Sequence, residues 1–524
     1  MGIFSPRPLS HRERSRSLID IELDPAQRQA VSMPAGGALL VLGEAGHGKT
    51  TVALHRLAHL YRQAAGRFRA VVLVPHEGLE RLLQPLVTRL GADVTVQAYE
   101  RWARSQARRA FGDIPRRESV ATPVAVTRMK RKAQLATWLH ELASKPPGRI
   151  DDDEDAPPPR TRAHAHRADL QHLFGDGEHM RALAQQSGES EASVLAILEH
   201  THQQFLQRAE DAYAHVDAER LISVDKRSLD VGTAAENTES IDTEDYAVLF
   251  EIDRLRARAF ALRPTPLRRY DCIVLDEAQE FAALELGLIG RSLRRGGTLV
   301  VAGDADQQTD PAAGFESWAA TMRRLHAPVH STVELAISYR CPESVERFAR
   351  ALRCDSARAA VPATVPVVGF EREEQLIAWL IDEASAIVEH DELASFCVIV
   401  RTAAFARRIA AGLRGHVPCK LVLDGAFSFH RGVDVTTVTQ VKGLEFDYVV
   451  VADATRASFD ASAEARRALY VAATRARHQL ALVHVGEPSP WLPLPTAPTA
   501  PTESTAPAVL AAPTAPPAPA LPES

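Results

Sequence analysis

The chain has 524 residues, 45% of them hydrophobic, which is ordinary for a soluble globular protein and enough for two or three domains with cores of their own. A formal net charge of −6 gives no global basic signature, so any nucleic-acid contact has to be a local groove rather than bulk charge. No apolar run approaches the length of a membrane span, and the Arg- and Ser-rich start (Arg7, Arg12, Arg14, Arg16) has no apolar stretch behind it, which argues against a secretory signal and against a membrane partner.

Residues 1–20 read as a flexible basic arm. From 21 to 105 strand and helix patterns alternate. Ala38 to Leu42 is an apolar run that predicts a buried strand, and Val52, Leu54, Leu57 and Leu60 mark a helix. Between them, Gly43-Glu44-Ala45-Gly46-His47-Gly48-Lys49-Thr50 fits G-x-x-x-x-G-K-[ST]. In that pattern glycines such as Gly43, Gly46 and Gly48 let backbone N–H groups turn inward around phosphates. Lys49 reaches the β- and γ-phosphates, the Thr50 hydroxyl ligates Mg²⁺, and Thr51 follows in the same turn. The anion would lie on a helix N-terminus, where unpaired donors favour it. ATP and Mg²⁺ are therefore the expected ligands. A chance glycine turn would not carry the strand, the lysine and the threonine together. Ala70–Val74 and Val94–Val96 predict further strands, and the alternation argues for a parallel sheet covered by helices.

Residues 106–264 break the pattern and read as a mainly helical insertion. Val126–Lys145 predicts one helix with Leu135, Trp138, Leu139 and Leu142 on a face; Glu191–Arg208 and Thr243–Leu262 predict two more, the last with Thr243 as N-cap. The acidic, proline-rich stretch Asp151 to Pro159 is not expected to fold. His164, His166, His172 and His179 lack a metal-ligand spacing and read as a solvated surface. Alternation resumes at Asp271–Leu275 and Leu299–Ala302, with later strand-like runs at Phe396–Val400, Val433–Val438 and Tyr448–Val451. Residues 491–524 are a Pro/Ala/Thr tail without a core-forming pattern. The five cysteines (Cys272, Cys341, Cys354, Cys397, Cys419) have no C-x-x-C spacing and read as reduced and mostly buried, which suits the cytoplasm.

Two strands end in acids. After Leu275 come Asp276, placed to hold Mg²⁺ through water, and Glu277, placed to polarise an attacking water. After Ala302 come Gly303-Asp304-Ala305-Asp306-Gln307, whose Asp304 and Gln307 would face the same crevice, since ligands of parallel sheets sit at strand C-termini. Phosphoryl transfer needs more than one cation, and Arg340 and Arg475 are candidates.

In this order the motifs resemble superfamily 1 motors of the UvrD/Rep type. Leu23-Asp24-Pro25-Ala26-Gln27 looks like their adenine-reading motif, with Gln27 as reader, and Asp276-Glu277-Ala278-Gln279 like their DEAQ. Gly303 to Gln307 resembles GDxxQ, Tyr339-Arg340 the YR motif, Thr437 to Asp447 the TxHxxKGLEFD motif, and Leu469 to Arg477 the YVAxTRAR motif. The resemblance implies an α/β fold of two RecA-like P-loop domains with parallel sheets, at 21–105 with 265–330 and at 331–490. It implies ATP hydrolysis between them, Arg475 as arginine finger and Glu445 at the ribose. The implied activity is that of a DNA helicase or translocase, on single-stranded or partly duplex nucleic acid, DNA rather than RNA.

The chain also departs from that family. The aromatic that stacks on a base after GDxxQ falls on Ala312, and the nearby arginine on Ala313; Phe315 or Trp318 reads equally as a substitute or as a core residue. Val74-Pro75-His76-Glu77-Gly78 replaces the strand-touching TFTNKAA-like segment, and Thr439 takes the usual His place. Thr51 to Leu60 is similar to a run of HelD-like proteins, which remodel RNA polymerase. The alternative implied is an ATPase that remodels a protein–nucleic acid complex without processive unwinding.

Overall fold

The computed structural model describes residues 3–4, 19, 22–64, 68–111, 114–119, 122–145, 162–206, 237–308, 310, 312–337, 342–353, 365–391, 394–427 and 432–492. Two six-stranded parallel sheets organise it. The first holds β1 (Gly37–Gly43), β2 (Ala70–Val74), β3 (Thr95–Ala98), β6 (Tyr270–Leu275), β7 (Leu293–Gly303) and β8 (Ser331–Leu335), in the order β3-β2-β6-β7-β1-β8. The second holds β9 (Val367–Phe370), β10 (Phe396–Val400), β11 (Cys419–Val422), β12 (Val433–Thr437), β13 (Phe446–Val451) and β14 (Ala476–Val485), in the order β11-β12-β10-β13-β14-β9. Strands such as Phe396–Val400 are apolar throughout because helices cover both faces, so neither face can be polar. The fold is the expected pair of RecA-like α/β units.

Three apolar clusters lie side by side. One runs from Leu39 and Val52 of the first unit through to Leu444 and Val471 of the second. Another joins the opposite face of the first sheet to the insertion through Trp102, Trp138 and Phe174. The last closes the outer face of the second sheet around Leu380 and Val398. The two sheets and the insertion are thus one packed body.

Several expectations change. The first sheet does not end at 330: Ser331–Leu335 pairs parallel to β1, Gly43 opposite Leu335. Its signal is weak because it is an edge strand in which only Leu335 is buried. The helix expected over Val126–Lys145 is two, Val124–Lys130 and Leu135–Ser144. At the break Lys130 donates to Asp242 (2.6 Å) and Asp245 (2.7 Å), while Arg131 turns to Glu285 (2.9 Å) and the Glu280 carbonyl (2.8 Å). The helix Thr243–Ala259 is capped by Asp242, in a capping box with Asp245, and not by Thr243. The helix begun at Glu191 ends at Phe205. The insertion also carries a short parallel pair, β4 (Arg117–Glu118) with β5 (Ser240–Ile241).

His166 is buried against the Phe111 ring (4.9 Å) instead of solvated, whereas His172 and His179 are half-buried; the His164 side chain is not among those described. Among the described residues no group of three side chains could hold a metal through His, Cys, Asp and Glu alone. The arm expected to be free is anchored: Ile3 and Phe4 donate their backbone N–H groups to Glu383 (2.6 and 3.1 Å), Phe4 meets Phe396 and Tyr448 edge-on, and Ile19 is buried in the first unit's core. The Asp151–Pro159 stretch, residues 493–524, Cys341 and Cys354 lie outside the described residues. Cys272 and Cys397 are buried and Cys419 half-buried, and burial pushes the Cys272 thiol up to about 12.

The helix Ala283–Arg291 crosses the end of Trp318–Arg324 at Gly290, where a Cβ would sit 2.4 Å from the Leu325 carbonyl oxygen. Backbone cannot yield as a side-chain tip would. Gly290→Ala is therefore expected to cost about 1–3 kcal/mol by overpacking, read as a lower urea midpoint; an unchanged midpoint would mean that the crossing is looser than this.

Candidate active site between the two sheets

The site is assembled where β1, β6 and β7 end side by side. Leu42 lies opposite Gly303, and Leu275 opposite Val301, so the loops after the three strands leave at one level. After β1 the chain turns through Gly46 (φ +80°) and Gly48 (φ +83°), conformations that favour glycine, into the helix Lys49–Gln63. Gly43 is held by a close approach, since a Cβ there would lie 3.0 Å from the Leu335 carbonyl. Lys49 Nζ donates to the carbonyls of Gly43 and Glu44 (both 2.9 Å) and lies 4.0 Å from Asp304 Oδ2.

Thr50 donates its hydroxyl to Asp276 Oδ2 at 2.9 Å, joining the two predicted Mg²⁺ ligands. Asp276 is fully buried. Burial first, and then the neighbouring Glu277 carboxylate, push it up to about 7. A buried acid pair with this little neutralisation suits a divalent cation, and an oxygen donor set of hydroxyl and carboxylate suits Mg²⁺. Glu277 has φ +52°, unusual for a side chain of its size, and Gln279 Nε2 donates to its Oε2 at 2.5 Å. Gln279 Oε1 in turn accepts from the Asp304 N–H (3.1 Å), tying the loop after β6 to the loop after β7.

From Asp304 a polar chain crosses to the second unit. Gln307 Nε2 donates to Asp304 Oδ2 (2.9 Å), and Arg475 Nη2 donates to Gln307 Oε1 (2.6 Å). Arg475 is only 4% exposed and also donates to the carbonyls of Val471 (2.9 Å) and Leu444 (3.2 Å). Lys49, Asp276, Glu277, Gln307 and Arg475 are thus brought together; Arg340 lies outside the described residues.

The remaining sequence candidates are placed as follows. Gln27 is buried under the P-loop, its Nε2 donating to the His47 carbonyl (3.2 Å) and its Oε1 accepting from the Asp24 N–H (3.1 Å). Both ends of its amide are engaged, so contact with a base would require one to be released. Thr51 is buried beneath the loop, and Glu445 is half-buried at the start of β13.

Other contacts across the cleft have no counterpart in the motif reading. Lys442 pairs with Glu280 (2.6 Å), both buried or nearly so, and the Lys442 carbonyl accepts from His76 Nε2 (2.9 Å). Burial lowers that imidazole to about 4, so it is neutral and donates. Arg353 reaches both the P-loop Glu44 and Asp306 (2.6 Å to the latter). On the insertion side Arg131 ties Glu285 and the Glu280 carbonyl to Asp310. Each is a charge with a distant partner, and no local pattern announces such pairs. Of the departures, Ala312 and Ala313 are buried, and Trp318 packs against Gly303, where a Cβ would lie 2.3 Å from its ring; Phe315 lies edge-on to Trp318 (4.9 Å).

An AAA domain family model matches residues 27–312, more than half the chain, and a UvrD-like helicase C-terminal domain model matches residues 432–483. The chain belongs to the UvrD-like helicase family. Membership makes it an ATP-hydrolysing enzyme with a nucleotide as ligand. Among solved structures it is similar to the C-terminal domain of a possible DNA helicase from Lactobacillus plantarum WCFS1, at 25% identity and a TM-score of 0.25, over 30% of this chain and 92% of that one. No curated protein matches it. The family assignment bears out the UvrD-type resemblance; the local similarity to HelD-like proteins, and with it RNA polymerase as a partner, is not carried by these matches. Among the described residues no helix is long and apolar enough to cross a membrane.

The raised Asp276 carboxyl makes cation binding depend on pH. Below about pH 7 it holds a proton that a cation must expel, so Mg²⁺–nucleotide binding weakens as pH falls through that value and is pH-independent above it. An infrared band of a protonated carboxyl, missing from Asp276→Asn, is expected at pH 6 and should vanish at pH 8 or on adding Mg²⁺–ADP. Its absence at pH 6 would show the pair fully ionised without a cation.

Proposed function

We propose that the chain is a nucleic-acid-dependent ATPase that moves along DNA, hydrolysing ATP between its two RecA-like units. The observation that carries this is the continuous chain Lys49–Asp304–Gln307–Arg475, which starts at the P-loop and ends on the second unit. In this reading Lys49 and the N–H groups of the loop hold the β- and γ-phosphates, and Thr50 and Asp276 hold Mg²⁺, which when bound neutralises charge on the phosphates. Glu277 orients the water and takes its proton. Arg475 stabilises negative charge on the transferred phosphoryl, and Gln307 reports the nucleotide state from one unit to the other. Because Arg475 belongs to the second unit, any change in cleft closure changes the site, and turnover is coupled to domain movement.

A second reading has a specific observation behind it. The positions expected to contact a single strand are engaged in packing: Ala312 and Ala313 are buried, and His76 and Gly78 face Lys442 and Gly425 of the second unit. Base stacking is worth about 1–3 kcal/mol per base, and without it ATP-driven remodelling of a protein–nucleic acid complex replaces a base-by-base ratchet.

Steady-state ATP turnover with and without single-stranded DNA or RNA decides between them. Strong stimulation by DNA supports the motor; indifference to both, with turnover still abolished in Glu277→Gln, supports the remodeller. In either case Lys49→Ala should lose nucleotide use, and Arg475→Ala should lower kcat by roughly 10³-fold or more while leaving nucleotide binding largely intact. Normal turnover in Arg475→Ala would sink the two-unit site.

A further inference from the structure

The first unit carries a basic cleft on the edge opposite the ATP site. It has a volume of about 860 Å³ and opens at the beginnings of β1 and β7, beside the last turns of the helix Thr243–Ala259. The P-loop leaves the far end of β1, so the length of a seven-residue strand, about 20 Å, separates cleft from P-loop. Among the lining residues are six arginines, Arg254, Arg263, Arg269, Arg291, Arg294 and Arg295, against one carboxylate, Asp253. That carboxylate is itself engaged by the Thr265 N–H (2.7 Å) and hydroxyl (3.0 Å).

Just outside the lining, Glu251 answers Arg254 and Arg291, and Asp271 answers Arg294. Arg263, Arg269 and Arg295 are exposed and have no acidic partner among the described residues. His326, on the same wall, is lowered by burial and then by Arg291 and Arg254, as a positive field requires. The rim is also unusually bare: a Cβ at Gly37 or Gly296 would meet nothing within 4 Å, so a ligand can approach the backbone there. In a chain of net charge −6, Arg263, Arg269 and Arg295 are a local excess of cations without an acidic partner among the described residues.

The geometry points to this cleft as a second nucleic-acid contact, which grips the phosphodiester backbone of duplex flanking the segment engaged by the motor. Arginine forks match phosphate oxygens. The lining has no exposed Phe, Tyr or Trp, Phe250 being buried, and His326 is its one exposed ring, so it lacks the run of aromatic platforms with which proteins hold successive single-stranded bases. Backbone contacts of this kind position a duplex without reading its sequence. The inference rests on the nucleic-acid-dependent reading above. An acidic protein is the competitor, because Val329 on the rim is 89% exposed and would suit an apolar contact.

The test is the salt dependence of binding of the full chain to a short blunt duplex, followed by fluorescence anisotropy, in the wild type, R263A/R269A/R295A and the charge swap R295E. Each lost phosphate contact should make the slope of log K against log salt less negative by about 0.9, so the triple variant should shift it by about 2–3. Melting temperature and ATP turnover without nucleic acid should stay at wild-type values, since these arginines lie outside the ATP site. A wild-type slope in the triple variant overturns the proposal. So does polyglutamate that displaces the duplex at equal charge concentration from the wild type, which assigns the cleft to an acidic protein. Stimulation of turnover by single-stranded DNA, measured in parallel, separates the two levels: stimulation with an unchanged duplex slope loses the cleft alone, and no stimulation with no duplex binding loses both.

Discussion

Everything at the centre of this protein depends on a concentration of buried carboxylates that the described side chains neutralise only in part. Asp276, Glu277 and Asp304 stand at the ends of adjacent parallel strands because β6, β7 and β1 are neighbours and leave the sheet at one level. Among the described residues Lys49 is the cation paired with this cluster, at 4.0 Å from Asp304, and it is shared with two carbonyls. Burial in low dielectric makes such a cluster costly when it is ionised, so the site favours whatever brings compensating charge. A divalent cation bound there would supply that charge, and the same imbalance that lifts Asp276 would become affinity for it.

The rest of the molecule ties this pocket to both units and to the insertion. Gln279 ties the two acidic loops to each other, Gln307 passes from them to Arg475, and Lys442 and His76 close the opposite side of the cleft. The insertion is wired into the same loops, since Arg131 binds Glu285 and the Glu280 carbonyl on one side and Asp310 on the other. A bidentate arginine pair in a nearly buried setting is strong and geometrically specific. The insertion is thereby fixed to the segments that carry Glu277 and Gln307.

The strands and the P-loop were legible because their signals are local. An apolar run before a glycine-rich turn, or the pair Asp276-Glu277 at a strand end, is visible in a few consecutive residues. The misses share one cause. Ser331–Leu335 alternates weakly because it is an edge strand, the break after Lys130 exists because two adjacent cations have different distant partners, and His166 is buried by a phenylalanine far from it in the chain. Phe4, placed in a free arm by composition, finds an aromatic pocket on the second sheet that no nearby residue reveals.

The sequence by itself determined the class of fold and the order of the nucleotide-binding motifs, because each depends on spacing within a short segment. Only the tertiary structure decided which arginine reaches Gln307, that the residues expected on a single strand are engaged in packing, and that six arginines separated by some forty positions of chain share one cleft far from the ATP site. The reason is physical. Hydrogen-bonded turns and strand ends are local, whereas charge pairing and burial are settled by whatever part of the chain the fold brings alongside.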